Sequence, residues 1–265
     1  MNQLNLEQIC TQVCAAAKAT GAFIRTEQKK LKAEQVEVKS RNSLVSYVDK
    51  QSEVALVKAL TPLIPGAGYI TEEETTTVKG EKYNWVIDPL DGTTNFIHGI
   101  PCYSVSIGLI RNNVPILGVI YEINLDECFY AWEGSPAFLN GKEIHVSKTL
   151  KLEDSLIATG FPYYDHEQEE EYLLLFRELM HSTRGLRRLG SAATDLAYVA
   201  CGRFEAFYEY SLHPWDVCAG IVIVQQAGGK VCDFKGTDDY LFGKSFVAGS
   251  AGIFDEFMLK VRKWF

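Results

Sequence analysis

Apolar residues three and four positions apart dominate the amino terminus. Leu6, Ile9, Cys10, Val13 and Ala17 share one face, which predicts an amphipathic helix ending near Gly21. Val36–Ser40 and Leu44–Val48 read as short extended segments joined by Arg41-Asn42-Ser43. A second helix is expected from Asp49, with Val54, Val57 and Leu60 at helical spacing, until Thr61-Pro62 and Pro65-Gly66 break it. Tyr69-Ile70 reads as a short strand running into Thr71-Glu72-Glu73-Glu74, and Trp85-Val86-Ile87 as a buried strand. Alternation over Cys102–Ile110 predicts a half-buried strand, paired through Asn112-Asn113 with Ile116–Ile123 and continued by Phe129–Trp132. Asn140-Gly141 between 137–139 and 143–146 marks a hairpin. The first half is therefore α+β with an antiparallel-rich sheet.

The pattern changes near Ser147-Lys148-Thr149, where a boundary divides a domain of 1–147 from one of 148–265. Strands are expected at Leu156–Thr159, Leu186–Leu189, Phe204–Tyr210 and Ser245–Ala248. Helices are expected at Glu167–Met180, after Gly190-Ser191-Ala192 as far as Gly202, from Trp215-Asp216 to Gly228-Gly229, and at Ile253–Trp264. Such alternation makes the second half α/β.

Composition narrows the function classes. The chain has 265 residues, 47% of them hydrophobic, which suits a large buried core. A formal charge of −8 disfavours a general nucleic-acid or anionic-membrane binder. No long uncharged apolar run and no leader-like amino terminus stand in the sequence, so the cytoplasm is the expected location. The seven cysteines lack paired Cys-x-x-Cys spacing, which argues against a zinc knuckle or disulfide framework, and Cys10 and Cys14 read as packing residues.

Chemistry gathers after the Trp85 strand, in Asp88-Pro89-Leu90-Asp91-Gly92-Thr93-Thr94-Asn95-Phe96. Pro89 lacks an amide donor, so the ladder is expected to end at Asp88. Gly92 allows a positive φ, and Thr93 and Thr94 suit a helix start whose free amides form an anion cradle. Carboxylates repel an anion, and a like-charge pair about 4 Å apart costs roughly 4 kcal/mol at an effective dielectric near 20. A cation reconciles the two, and oxygen-only ligands favour Mg²⁺ or Mn²⁺ over Zn²⁺. Asp49 reads, taken alone, as a helix N-cap. One of Glu72, Glu73 and Glu74 is a candidate ligand or base.

That string resembles the first signature of the inositol monophosphatase family, and Trp215-Asp216-Val217-Cys218-Ala219-Gly220 with Ala227-Gly228-Gly229 is similar to its second. Asp49-x-x-x-Glu53 and Glu72-Glu73 fall in matching places, whereas Thr71 replaces a common Gly and Ser43 a frequent Asp. The resemblance implies layers of helix and sheet in the order α-β-α-β-α, with the site between the halves. It implies metal ligation by Glu72, Asp88, the Leu90 carbonyl, Asp91 and Asp216. Thr93, with Asp49 behind it, would position and deprotonate the attacking water, and Glu72 would touch the same water. The amides of Gly92, Thr93 and Thr94 would hold phosphate. Gly190, Ser191, Ala192, Glu209, Asp91 and Asp216 would line the substrate side, and Lys39 would lie near the metals. His213 is expected to be a structural neighbour of the metal loop.

The implied function is Mg²⁺-dependent hydrolysis of a small phosphate monoester, an inositol monophosphate first, by a cytoplasmic homodimer. Fructose-bisphosphatase or broader sugar or nucleotide phosphatase activity is the enzymatic alternative. A binding or regulatory protein, such as a partner of the transcription machinery, is the alternative outside catalysis.

Overall fold

The computed structural model describes residues 4–30, 36–40, 43–161 and 167–265, with backbone only for 36–40 and 43–45. In the first half lie α1 (Leu6–Gln28), β1 (Val36–Ser40), β2 (Ser43–Ser46), α2 (Tyr47–Leu60), β3 (Gly68–Thr71), β4 (Tyr83–Asp91) and α3 (Thr93–His98). They are followed by β5 (Ser104–Arg111), β6 (Val114–Glu122), β7 (Glu127–Trp132), β8 (Ala137–Leu139) and β9 (Lys142–Ile144). The second half holds β10 (Leu156–Thr159), α4 (Glu169–Ser182), β11 (Gly185–Arg187), α5 (Ala192–Ala200) and β12 (Ala206–Tyr210). It closes with α6 (Pro214–Gln226), β13 (Gly229–Cys232), β14 (Ser245–Ser250) and α7 (Phe254–Val261).

Strands β3 to β9 lie side by side in chain order as a seven-stranded sheet, antiparallel except for the β3–β4 pair. The second sheet runs β11-β10-β12-β14-β13 and is mixed, with β10 parallel to both its neighbours. Strand parity sorts the side chains into layers. Trp85 and Ile87 of β4 and Val105, Ile107 and Leu109 of β5 pack with α1 and α2. Val86 and Ile110 face the other way, into a cluster with α5, α6 and Phe207, Phe246 and Ala248 of the second sheet. The far face of that sheet, through Tyr208 and Val247, packs with α4 and α7. This is the layered α-β-α-β-α architecture expected above.

Several local expectations are corrected. Helix α1 continues past Gly21 to Gln28, because this glycine lies against the sheet: a Cβ there would stand 2.4 Å from the Tyr121 ring. Close packing on Tyr121 overrides the roughly 1 kcal/mol helix penalty of glycine. Strand β5 is buried on both faces instead of half-buried, because helices cover each side. Its Gly108, with Gly118 of β6, leaves room for α6: added Cβ atoms would lie 2.4 Å from Cys218 Sγ and 2.2 Å from the Ala219 carbonyl. Strand β4 does not end at Asp88. It passes Pro89 and Leu90 through a bulge, pairing Asp88 with Ser106 and then Asp91 with Ser104. Residues 47 and 48 belong to α2, β11 stops at Arg187, and β13 follows Gly228 where only a helix stop had been read. Arg41 and Asn42 lie outside the described residues.

Candidate active site

The β4 bulge decides which side chains enter the site. Asp88 keeps the parity of Val86 and faces the α6 layer, and Leu90 N donates to Asp88 Oδ1 at 2.9 Å. The bulge then lets Asp91 enter the same volume. Gly92 follows with φ 93°, and a Cβ there would approach the Cys102 carbonyl to 3.0 Å and the Gly190 carbonyl to 3.2 Å. Conformation and space therefore both demand glycine at this turn. Thr93 is the first residue of α3, and its Oγ1 lies 2.9 Å from both Asp49 Oδ1 and the Leu90 carbonyl.

Asp49 does not cap α2. Ser46 is the N-cap, and Asp49, three residues on, accepts from Ser46 N at 2.8 Å and Ser46 Oγ at 2.7 Å through Oδ2. This capping box immobilises the carboxylate and leaves Oδ1 for Thr93. Burial raises the pKa of Asp49, against the hydrogen bonds from Ser46 and Thr93.

Asp216 arrives from the opposite half. Pro214 opens α6, and Asp216, in its first turn, accepts from His213 N at 2.7 Å. His213 stacks on Trp215, ring centroids 4.6 Å apart, which places it beside the loop that carries Asp216. Carboxylate oxygens of Asp88, Asp91 and Asp216 lie within 4.8 Å of one another. Glu72 lies just past β3, its amide donating to the Ile87 carbonyl at 3.2 Å, and its charge acts on both Asp88 and Asp216.

Burial and mutual repulsion govern this cluster. Asp88 is held well above the usual carboxylate range by burial, then by Glu72, Asp91 and Asp216. Asp216 is raised by burial and by Asp91. Asp91 reaches about 6 through burial, although Ser191 and the Ala193 amide hold it down. Such a cluster must gather protons or a cation. The three clustered groups are all carboxylates, so the residues fit a hard divalent ion.

The expected substrate wall is near, and part of it is engaged with Asp91. Ser191 Oγ donates to Asp91 Oδ2 at 2.6 Å and Ala193 N to the same oxygen at 2.8 Å. Asn95 Nδ2 donates to the Cys102 and Leu189 carbonyls, both at 2.8 Å, and ties the α3 start to the loop bearing Gly190. Thr94 follows Thr93 on α3, and Ala192 opens α5. Glu209, on β12, is 7% exposed, and burial pushes its carboxyl up to about 8 against the pull of Arg188. Lys39 and Ser43 lie on β1 and β2, their side chains outside the described residues.

Three participants escaped the sequence reading. Asn95 stands inside the quoted string without a role assigned. Arg188 acts electrostatically on Asp91, Asp195 and Glu209, and the Arg187-Arg188 pair just before Gly190-Ser191 was its available signal. Asp195 is 1% exposed and raised by burial and by Glu209; a lone acid in the apolar run of α5 was the mark to notice.

Comparisons with known proteins identify the family and the fold. The model of the inositol monophosphatase family matches residues 5–263. The chain is 38% identical over 250 residues to an inositol-1-monophosphatase of Mesorhizobium japonicum, covering 94% of each chain. It is 39% identical over 252 residues to the Nus factor SuhB of Pseudomonas aeruginosa, covering 93% of each. The crystal structure of the extragenic suppressor protein suhB from Bartonella henselae superposes with a TM-score of 0.90 at 38% identity, covering 96% of this chain and 98% of that one.

Proposed function

The chain belongs to the inositol monophosphatase family, and from that premise we propose that it is a Mg²⁺-dependent phosphomonoesterase acting first on inositol monophosphates. The observation that carries the proposal is the meeting of Asp88, Asp91 and Asp216 within 4.8 Å beside a Thr93 hydroxyl bonded to buried Asp49. Glu72, Asp88, Asp91, Asp216 and the Leu90 carbonyl would hold the metal. Bound there, Mg²⁺ supplies positive charge against the phosphate and acidifies water.

The chain's own groups supply the rest. Thr93 Oγ1 accepts a proton from the attacking water while it passes its own toward Asp49, whose other oxygen stays fixed by Ser46. The Thr93–Asp49 link, at 2.9 Å, is within the hydrogen-bond reach that a proton relay requires. The amides of Gly92, Thr93 and Thr94 hold the phosphate oxygens in line. Asp216 stands near the leaving oxygen, and Gly190, Ser191, Ala192 and Glu209 meet the hydroxyls of the alcohol. In this reading residues 1–147 carry most of the metal ligands and 148–265 complete the site, within a cytoplasmic homodimer. No helix among the described residues is long and apolar enough to cross a membrane.

A second reading has its own support: the Pseudomonas aeruginosa relative is named a Nus factor, and in that reading this chain is a regulatory binding protein, a partner of the transcription machinery, that does not rely on turnover. Phosphate release from inositol 1-phosphate, fructose 1,6-bisphosphate and adenosine 3′,5′-bisphosphate, with and without Mg²⁺, tests the proposal. Inositol 1-phosphate should turn over fastest and only with Mg²⁺. Faster release from either of the others refutes the substrate, and no Mg²⁺-dependent release from any ester leaves the transcription reading.

A further inference from the structure

Helix α2 carries a second buried acid, one turn beyond Asp49, that the catalytic reading does not use. Glu53 is wholly buried, yet its carboxylate is fully engaged. Oε2 accepts from Glu73 N at 2.7 Å, and Oε1 accepts from Thr75 N and Thr75 Oγ1, each at 2.7 Å. Between the two amides Glu74 takes φ 51°, the left-handed region that non-glycine residues rarely enter. Such a turn aims alternate amides at one point and makes a small anion-binding concavity. Here the anion is internal. Glu72, immediately before it, is fixed on its other side by the hydrogen bond from its amide to the Ile87 carbonyl.

We propose that Glu53 is a positioning residue for the metal site: it clamps the 73–75 turn and thereby sets the Glu72 carboxylate against Asp88 and Asp216. The inference rests on the reading of the acidic cluster as a metal site. Residues four apart lie on one helix face, so α2 presents Asp49 and Glu53 toward the site about 6 Å apart along its axis. One acid fixes Thr93 on the water side, and the other fixes Glu72 on the metal side. A single helix, locked at its start by the Ser46–Asp49 capping box, holds both in register.

Glu53→Gln keeps the volume but replaces one acceptor oxygen with a donor, so at least one amide of the turn loses its partner. Thr75→Val removes only the hydroxyl bond and leaves both amides held. Binding of Mn²⁺ without substrate, followed by electron paramagnetic resonance of the free ion, is measured for wild type and both variants, with thermal melting beside it. Loss of a group that orients a ligand typically weakens metal binding 10–100-fold. The Mn²⁺ Kd of E53Q should rise about tenfold and that of T75V about threefold. The Mg²⁺ concentration giving half-maximal activity should move in parallel, while KM for the ester at saturating metal stays put. E53Q that melts earlier but binds Mn²⁺ like wild type overturns the inference and leaves the residue a stability element. Should E53Q fail to fold, T75V decides alone, and an unchanged Kd overturns the inference. A wild type that binds neither Mn²⁺ nor Mg²⁺ overturns the metal reading itself, and the clamp falls with it.

Discussion

Asp88→Asn should make the metal-free protein more stable and the metal-loaded comparison reverse. The three carboxylates approach within 4.8 Å, so each ionised pair repels by about 3.5 kcal/mol at an effective dielectric near 20. Asparagine at 88 deletes two of the three pairs, a ceiling of about 7 kcal/mol. The cluster sheds part of that by holding protons, as the raised pKa values of Asp88 and Asp216 indicate. A net gain of about 1–3 kcal/mol remains, or roughly 2–5 °C in Tm for a chain of this size. Local geometry should survive, because the asparagine oxygen can still accept from Leu90 N. Differential scanning calorimetry in chelator and then in Mg²⁺ reads both states. Wild type should rise with Mg²⁺ and overtake D88N, whose Tm should barely move, since binding to the folded state alone stabilises by mass action. If D88N melts below wild type in chelator, repulsion does not govern the cluster. If Mg²⁺ lifts both proteins equally, the ion binds elsewhere.

Two further outcomes follow from named contacts. Thr93→Val removes the hydroxyl between Asp49 and the Leu90 carbonyl, so kcat should fall about 10²–10⁴-fold, the range of lost acid–base catalysis. The Mg²⁺-induced Tm rise should persist and Thr93→Ser should restore turnover; an unchanged kcat in T93V would refute the relay. Glu178 on α4 accepts from Lys263, Lys260 and Trp264, which hold its carboxyl down at about 2. A depressed carboxylate stabilises the fold above its unfolded pKa, near 4.5, and loses that contribution as pH falls toward 2. Lys263 is 55% exposed, so solvent screening reduces the effect to about 1 kcal/mol. Urea titrations should show E178Q weaker than wild type by that amount at pH 7, with the gap closing between about pH 4.5 and 2; a gap independent of pH would assign it to packing instead.

Much of the element order was legible because periodicity is a direct record of burial. The helix of Leu6, Ile9 and Val13 and the hairpin at Asn140-Gly141 needed only local pattern and turn chemistry. Errors fell where packing overruled local preference. Gly21 looked like a helix stop because glycine is a poor helix former, and nothing nearby in sequence announces the Tyr121 ring that makes its missing side chain necessary. Asp49 looked like a cap because Asp suits that place, yet Ser46 suits it too, and only the fold shows which residue takes it. Strand β13 was hidden because its four residues include Gly and Lys, and β14 supplies the pairing.

The candidate site divides the same way. In the turn from Asp88 to Thr94, the left-handed glycine and the helix start follow from adjacent residues and could be read directly, whereas the bulge that brings Asp91 in beside Asp88 could not, since Pro89 argued for a strand end and only pairing with Ser104 carries the strand on. Its meeting with Glu72 and Asp216 is topological. Glu72 comes alongside because Thr71 pairs with Ile87 in the parallel β3–β4 edge, and Asp216 because two glycines let α6 settle on β5 and β6. Neither contact has a sequence pattern of its own, and only a resemblance could join those residues beforehand. Glu53 marks where that help ended. Its spacing from Asp49 was visible, but an acid that serves backbone amides on another element declares its work only when the turn it clamps is seen. Residues that touch the reacting atoms leave motifs, whereas residues that hold those residues still are found by asking where each buried charge spends its hydrogen bonds.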